Sequence, residues 1–97
     1  MTLGLLAEAA EELYEAAAYY DEQQPGLGRR LEEEFHQYIA WILQNPDVPR
    51  LRRKKYRRVN LNIFPYYIAY VIREQEIRVI AFAHGHRRPE YWIERSH

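Results

Sequence analysis

The chain has 97 residues, 47% of them hydrophobic and 14% aromatic, with no cysteine and a formal net charge of zero. That supplies one modest core and excludes disulfides, thiolate catalysis and thiolate zinc sites. The zero sum conceals a division: residues 1–48 carry ten acids against two arginines and residues 49–97 twelve bases against four acids, so the halves stand at −8 and +8.

Such a division suits a polyanionic or strongly acidic partner for one face, unless the halves simply neutralise each other across the fold. No apolar stretch approaches the ~20 residues of a membrane span, and the start lacks the pattern of a signal peptide. A soluble, cytoplasmic protein without membrane attachment is expected.

In chain order, Thr2–Leu6 reads as an edge strand or as the lead-in to a helix. A helix follows from about Ala7 to Gln24, where Leu6, Ala10, Leu13, Ala17 and Tyr20 recur at helical spacing. Glu8, Glu11, Glu12 and Glu15 are expected on its solvated side. Pro25-Gly26-Leu27-Gly28 breaks it. A second helix over about Leu27–Gln44 carries the stripe Leu31, Phe35, Tyr38, Ile39 and Ile42, with Glu32, Glu33 and Glu34 partly outside. Asn45-Pro46 stops it, because proline cannot continue the hydrogen-bond ladder. Two amphipathic helices across so short a break predict an antiparallel hairpin.

The period then changes to two. Val59, Leu61 and Ile63 alternate with Arg58, Asn60 and Asn62 in a strand predicted over 57–64, with Ile63 facing the core. Tyr66–Arg73 resumes the pattern after Pro65, and Arg73-Glu74-Gln75-Glu76 is a polar turn. Ile77–Ala83, almost continuously apolar after Arg78, reads as a central strand. Pro89 opens a short C-terminal helix over 90–95. The expected fold is α+β: a helical hairpin packed on a small, mainly antiparallel sheet of three to four strands.

Between Arg50 and Arg58, seven of nine residues are basic. With Tyr56, Tyr66 and Tyr67 interleaved, this run suits nucleic acid or an acidic protein segment, the plain alternative being a solvated loop. His84-Gly85-His86-Arg87-Arg88, followed by Tyr91 and Trp92, suits anion binding. In the alternative, His84 is a core or turn residue and Trp92 a C-terminal plug. Two histidines need further ligands to hold a metal, and His36 and His97 lie elsewhere, so no metal is expected. The pairs Glu8/Glu12 and Glu11/Glu15 read as a solvated face. Thr2 and Ser96 are the only aliphatic hydroxyls and both are terminal, which leaves no Ser-His-Asp array. Gly26 and Gly28 follow a helix, not a strand, so no phosphate loop and no cofactor is implied.

Several segments together resemble the RelE/ParE superfamily of type II toxins: Ala-Glu-Glu-Leu with Tyr-Tyr-Asp-Glu-Gln over 10–23, Pro-Gly-Leu-Gly at 25–28, Asn-Pro at 45–46, Phe-Pro-Tyr at 64–66, and the run from Ile77 to Trp92. The helical-hairpin motif is similar to the ParE-like, plasmid-stabilisation branch. The resemblance covers nearly the whole chain and implies a single toxin domain over 1–97. It also implies a cognate antitoxin partner, with a hetero-oligomeric complex between them. The branch implies inhibition of DNA gyrase. The sister branch implies an mRNA endoribonuclease acting on the ribosome; a third possibility is a degenerate toxin that only binds a partner. Within the resemblance, Arg58 matches a basic position of the first sheet strand after the hairpin, but the next falls on Asn60 and that of the following strand on Tyr67. The expected target- or antitoxin-binding surface is Arg57, Arg58, His86, Arg87 and Arg88, with Tyr91 and Trp92. For a ribonuclease the acting set would be Arg58, His86, Arg87 and Tyr91. Relatives commonly carry a basic residue where this chain has Ile63.

Overall fold

A computed structural model of the chain describes residues 1–95, so Ser96 and His97 lie outside the described residues. The elements are β1 (Thr2–Leu5), α1 (Ala7–Gln23), α2 (Leu27–Gln44), β2 (Arg57–Asn60), β3 (Tyr66–Arg73) and β4 (Glu76–His84). The sheet order is β1-β4-β3-β2, with β1 parallel to β4 and the other pairs antiparallel. Thr2–Leu5 is thus an edge strand, and the Ile77–Ala83 run lies in the central β4.

The hairpin closes tightly because Gly28 has no side chain. A Cβ there would lie 2.2 Å from the carbonyl oxygen of Ala17 on α1. Asp21 of α1 accepts hydrogen bonds from Gly28 N–H at 2.8 Å and Gly26 N–H at 3.2 Å, which satisfies donors exposed at the start of α2. Leu6, Ala9, Leu13, Ala16 and Tyr20 of α1 and its lead-in face the sheet together with Leu31, Phe35, Ile39 and Ile42 of α2. Ala9 and Ala16 thus hold the core positions expected for Ala10 and Ala17, while Ala17 is buried against α2.

Both faces of the sheet are covered, through a β-bulge in β4. Ala69 pairs with Ala81 and Tyr70 with Val79, so Ile80 is an extra residue in the ladder. Before the bulge Ile77 and Val79 face the helices; after it Phe82 does, while Ile80, Ala81 and Ala83 join a second cluster with Tyr56, Tyr67, Ala69, Val71 and Trp92. The continuous apolar run of β4 follows from burial on two sides.

Two expected elements differ. The strand predicted over 57–64 ends at Asn60, and Ile63 turns outward with 56% of its surface exposed. Its N–H leaves the sheet and donates to the Glu34 carboxylate at 3.3 Å, so the loop follows α2 instead of the ladder. Glu34, expected partly outside, is only 8% exposed. The short C-terminal helix is a series of turns, with N–H groups of Tyr91, Ile93 and Arg95 donating to carbonyls three residues back.

Candidate functional site

The C-terminal segment 85–95 is a strap fastened at two points. At one, the Arg95 guanidinium meets the Glu12 carboxylate through two hydrogen bonds of 2.9 Å. The same carboxylate accepts Phe82 N–H at 3.0 Å and the Tyr91 hydroxyl, and Arg95 also donates to Ile80 O at 3.0 Å. The reason is geometric. β1 pairs only as far as Val79, so beyond it one edge of β4 has no strand beside it. Glu12 and Arg95 satisfy the donor and acceptor left open there. Burial raises the Glu12 pKa, but hydrogen bonds from Arg95, Tyr91 and Phe82 outweigh it and hold the carboxyl below its ordinary value. Burial, then the Glu12 hydrogen bond, pushes the Tyr91 phenol well above the ordinary range.

At the other point Glu90 accepts Arg53 at 2.6 Å and the Tyr56 hydroxyl. Both hydrogen bonds lower the Glu90 pKa. Burial first, then Glu90, pushes the Tyr56 phenol up to about 12. Arg53 and Lys54, at the tip of the basic loop, and Glu90 all have positive φ, between 53° and 59°. Two of these left-handed non-glycine residues, Arg53 and Glu90, meet directly where the basic loop touches the strap, with Lys54 next in the turn. Arg52 and Tyr56 bridge beneath that tip, so the run expected as a loop is a small closed turn.

Trp92 lies between the fastenings and is 1% exposed. Its indole N–H donates to the Tyr67 hydroxyl at 2.9 Å, and its ring stands edge-on to Tyr56 with centroids 4.7 Å apart. It supports the surface from below and does not form it; the plug reading describes its place.

Of the expected cations, Arg58, His86 and Arg87 gather at the rim where β3 begins and β4 ends. Arg58 lies over the Tyr67 ring at 3.8 Å and donates to Asn60 Oδ1 at 2.9 Å. Arg87 lies over the Tyr91 ring at 3.9 Å. His86 N–H donates to His84 Nδ1 at 3.0 Å, and Gly85 N–H to Pro65 O at 2.8 Å, which ties the turn down. Arg88 is exposed next to this turn. Arg57 departs from the group. It alternates with Arg58 across the strand and donates to Pro49 O at 2.7 Å, beside Asp47. His84 packs edge-on against Tyr66 and belongs to the rim, not the core.

Two clefts of about 240 Å³ each open at this rim and share Tyr66. One holds Arg58, Asn60, Tyr67 and His86; the other holds Arg87 and His84 with the carboxylates Glu12 and Glu15, beside Tyr19 and Tyr91. The Arg58 cleft, cationic beside aromatic walls and without an acid in its lining, suits an anionic, partly planar group, whereas the Arg87 cleft is of mixed charge and suits a polypeptide segment. A separate groove of about 380 Å³ runs between α2 and the loop after β2, lined by Tyr38, Trp41, Val59 and the outward Ile63. Among the described residues no group of three His, Cys, Asp or Glu is placed to hold a metal. Among the same described residues no helix is long and apolar enough to cross a membrane.

Glu12, Arg95 and Glu90 were not expected at the site. Glu12 sits among glutamates on a helix, and nothing local separates it from Glu8 or Glu11. The sole sequence signal is a lone arginine at the end of an aromatic segment.

A family model described as ParE toxin of type II toxin-antitoxin system, parDE, matches residues 5–89. Toxin ParE2 of Mycobacterium tuberculosis, from strain CDC 1551 / Oshkosh and from strain ATCC 25618 / H37Rv, is 32% identical over 80 residues, covering 81% of this chain and 76% of the relative. A solved structure described as a chromosomal ParDE TA system from P. aeruginosa superposes with a TM-score of 0.76 at 16% identity, covering 87% of this chain and 95% of that one. That likeness shows the shared fold.

Proposed function

The chain belongs to the ParE toxin family of type II toxin-antitoxin systems, and we propose that it inhibits DNA gyrase in the cytoplasm and is neutralised by a cognate antitoxin. The family match over residues 5–89 carries this reading. The antitoxin partner is supported by the structural neighbour, itself described as a ParDE system. Arg58, His86, Arg87 and Arg88 form the target-binding surface, with Tyr91 beneath Arg87 and Trp92 beneath the sheet side of the strap.

Binding, as opposed to RNA cleavage, is supported by the chemistry of the rim. A ribonuclease needs several groups to move protons and stabilise charge around one phosphate. Asn60 and Tyr67, neither of them a cation, stand opposite each other in the β2–β3 ladder. The Tyr91 hydroxyl already donates to Glu12 and, with its pKa raised, stays a neutral phenol that is a poor general acid and is not populated as the phenolate base. Arg58 and Arg87 are set to hold an anion, and the proton-transfer set is thin around them.

Induced expression of the free chain with and without its antitoxin tests the reading. Growth arrest accompanied by a DNA-damage response is the expected outcome, relieved by the antitoxin. Immediate arrest of translation with mRNA cleavage, abolished by His86→Ala, would assign the ribonuclease instead. Normal growth at verified expression would assign a disarmed, partner-binding module.

A further inference from the structure

We propose that the groove between α2 and the loop after β2 binds a small organic cation, an ammonium or guanidinium carried on an aromatic or branched apolar body, with Glu34 as its counter-charge. The groove shares no lining residue with either cleft of the rim, so the inference stands apart from the function assigned to that rim.

The walls follow from the helix period. Glu34, Tyr38 and Trp41 recur at i, i+4 and i+7 on α2, beside the core-facing Leu31, Phe35 and Ile42. Val59 of β2 and Ile63 of the following loop line the other side. Trp41 is 40% exposed and Ile63 56%, so an aromatic and a branched side chain stand open to solvent across one groove. Its volume of about 380 Å³ falls within the ~300–1,000 Å³ usual for small-molecule pockets.

Glu34 is the one buried residue of that lining. It is only 8% exposed, yet no arginine, lysine or histidine forms an ion pair with it among the described residues. Its Oε1 accepts Ile63 N–H at 3.3 Å, a long bond, and its Oε2 accepts nothing among the described residues. A carboxylate has about four acceptor sites, and burying one with so little company is unfavourable. Arg57, the cation on the same face of β2 as Val59, is turned to Asp47 and to Pro49 O instead. The groove therefore holds an acid whose partner the chain does not supply.

The lining selects among ligands. A hard metal ion needs several oxygen ligands, and the groove offers one carboxylate with the amides of Gln37 and Asn62. An anion is repelled by Glu34, and a neutral apolar molecule leaves the carboxylate without a counter-charge. An organic cation is matched twice. Its head meets Glu34, and its body lies against Trp41, Tyr38 and Ile63, where the rings add cation–π attraction.

The test titrates phenethylammonium into the isotope-labelled full chain and follows the Trp41 indole and Ile63 amide resonances by NMR. Saturable shifts confined to the groove are expected, with a Kd below about 1 mM. Phenethyl alcohol keeps the body without the charge, and methylammonium the charge without the body. Each should bind at least about tenfold more weakly. Glu34→Gln retains an oxygen for Ile63 N–H and removes the charge. It should weaken phenethylammonium about tenfold and leave phenethyl alcohol unchanged, whereas a purely structural role would move both together. Ile63→Lys places an ammonium beside Glu34 from within the chain and should weaken binding by about tenfold or more in a folded sample, which keeps the test decisive where Glu34→Gln does not fold. Equal affinity for the alcohol, full binding by Ile63→Lys, or no saturation up to about 10 mM would overturn the proposal. So would saturable binding of acetyl-Leu-Arg-Leu-amide with none of phenethylammonium, which would assign the groove to a polypeptide segment.

Discussion

Glu12 and Arg95 stand 83 residues apart and meet through two parallel hydrogen bonds of 2.9 Å. The pair joins the first helix to the last described residue of the chain and fills the edge of β4 that β1 leaves open. It also sets the position of Tyr91, and with it Arg87. The stability of the strap and the shape of the rim are therefore one problem.

The pair gives a signed pH dependence. The folded pKa of Glu12 is depressed, so its contribution is fully present above the unfolded carboxylate pKa of ~4.3 and is lost as pH falls through the folded value. Denaturation midpoints measured downward from pH 7 should fall more steeply for the parent chain than for Glu12→Gln. Near neutral pH, Glu12→Ala should cost about 3 kcal/mol, because it leaves the Arg95 guanidinium partly buried without its carboxylate.

The strap also depends on its plug. Trp92→Ala removes a fully buried indole and the donor to the Tyr67 hydroxyl, and should cost about 3–5 kcal/mol in urea unfolding. The chain's other tryptophan, Trp41, is 40% exposed. Acrylamide should therefore quench the emission remaining in Trp92→Phe readily and that in Trp41→Phe poorly.

At the hairpin, Gly28→Ala should be far more damaging than Gly26→Ala by steric contact. The first places a Cβ 2.2 Å from a backbone oxygen, whereas the second meets open space and only the strain of a φ of +92°. Thermal unfolding should show a loss of about 3 kcal/mol or more for Gly28→Ala and about 1 kcal/mol for Gly26→Ala.

Much of this architecture is legible where local chemistry decides it. Gly26 and Pro46 bracket α2, and its expected span, Leu27–Gln44, is the observed one. Pro65 and the turn at Glu74 bracket β3 over Tyr66–Arg73 in the same way. Ile63 shows the limit. Its alternation with Val59 and Leu61 points inward, yet a hydrogen bond to Glu34, 29 residues away, turns the loop and exposes it. Ile80 is a further case, since a bulge shifts the period without changing the composition. At the rim, residue type and order bring out Arg58, His86 and Arg87. The fastenings Glu12–Arg95 and Glu90–Arg53 are tertiary, and period alone places Glu12 on the wrong side.

Within the rim, Arg58→Gln and Arg87→Gln should each reduce toxicity by about an order of magnitude without lowering the melting temperature, since each breaks one stacking contact at the surface. Arg57→Gln should act through stability instead, because its guanidinium holds the 47–49 loop. Dose–response growth curves read beside melting temperatures separate the two classes.

The most direct measurement is a gyrase supercoiling assay with the purified chain, scored at the same time for trapped double-strand breaks. Dose-dependent inhibition or breakage is expected, relieved by the antitoxin and weakened by Arg87→Gln. A folded sample that leaves supercoiling untouched and traps no breaks at any dose would contradict it.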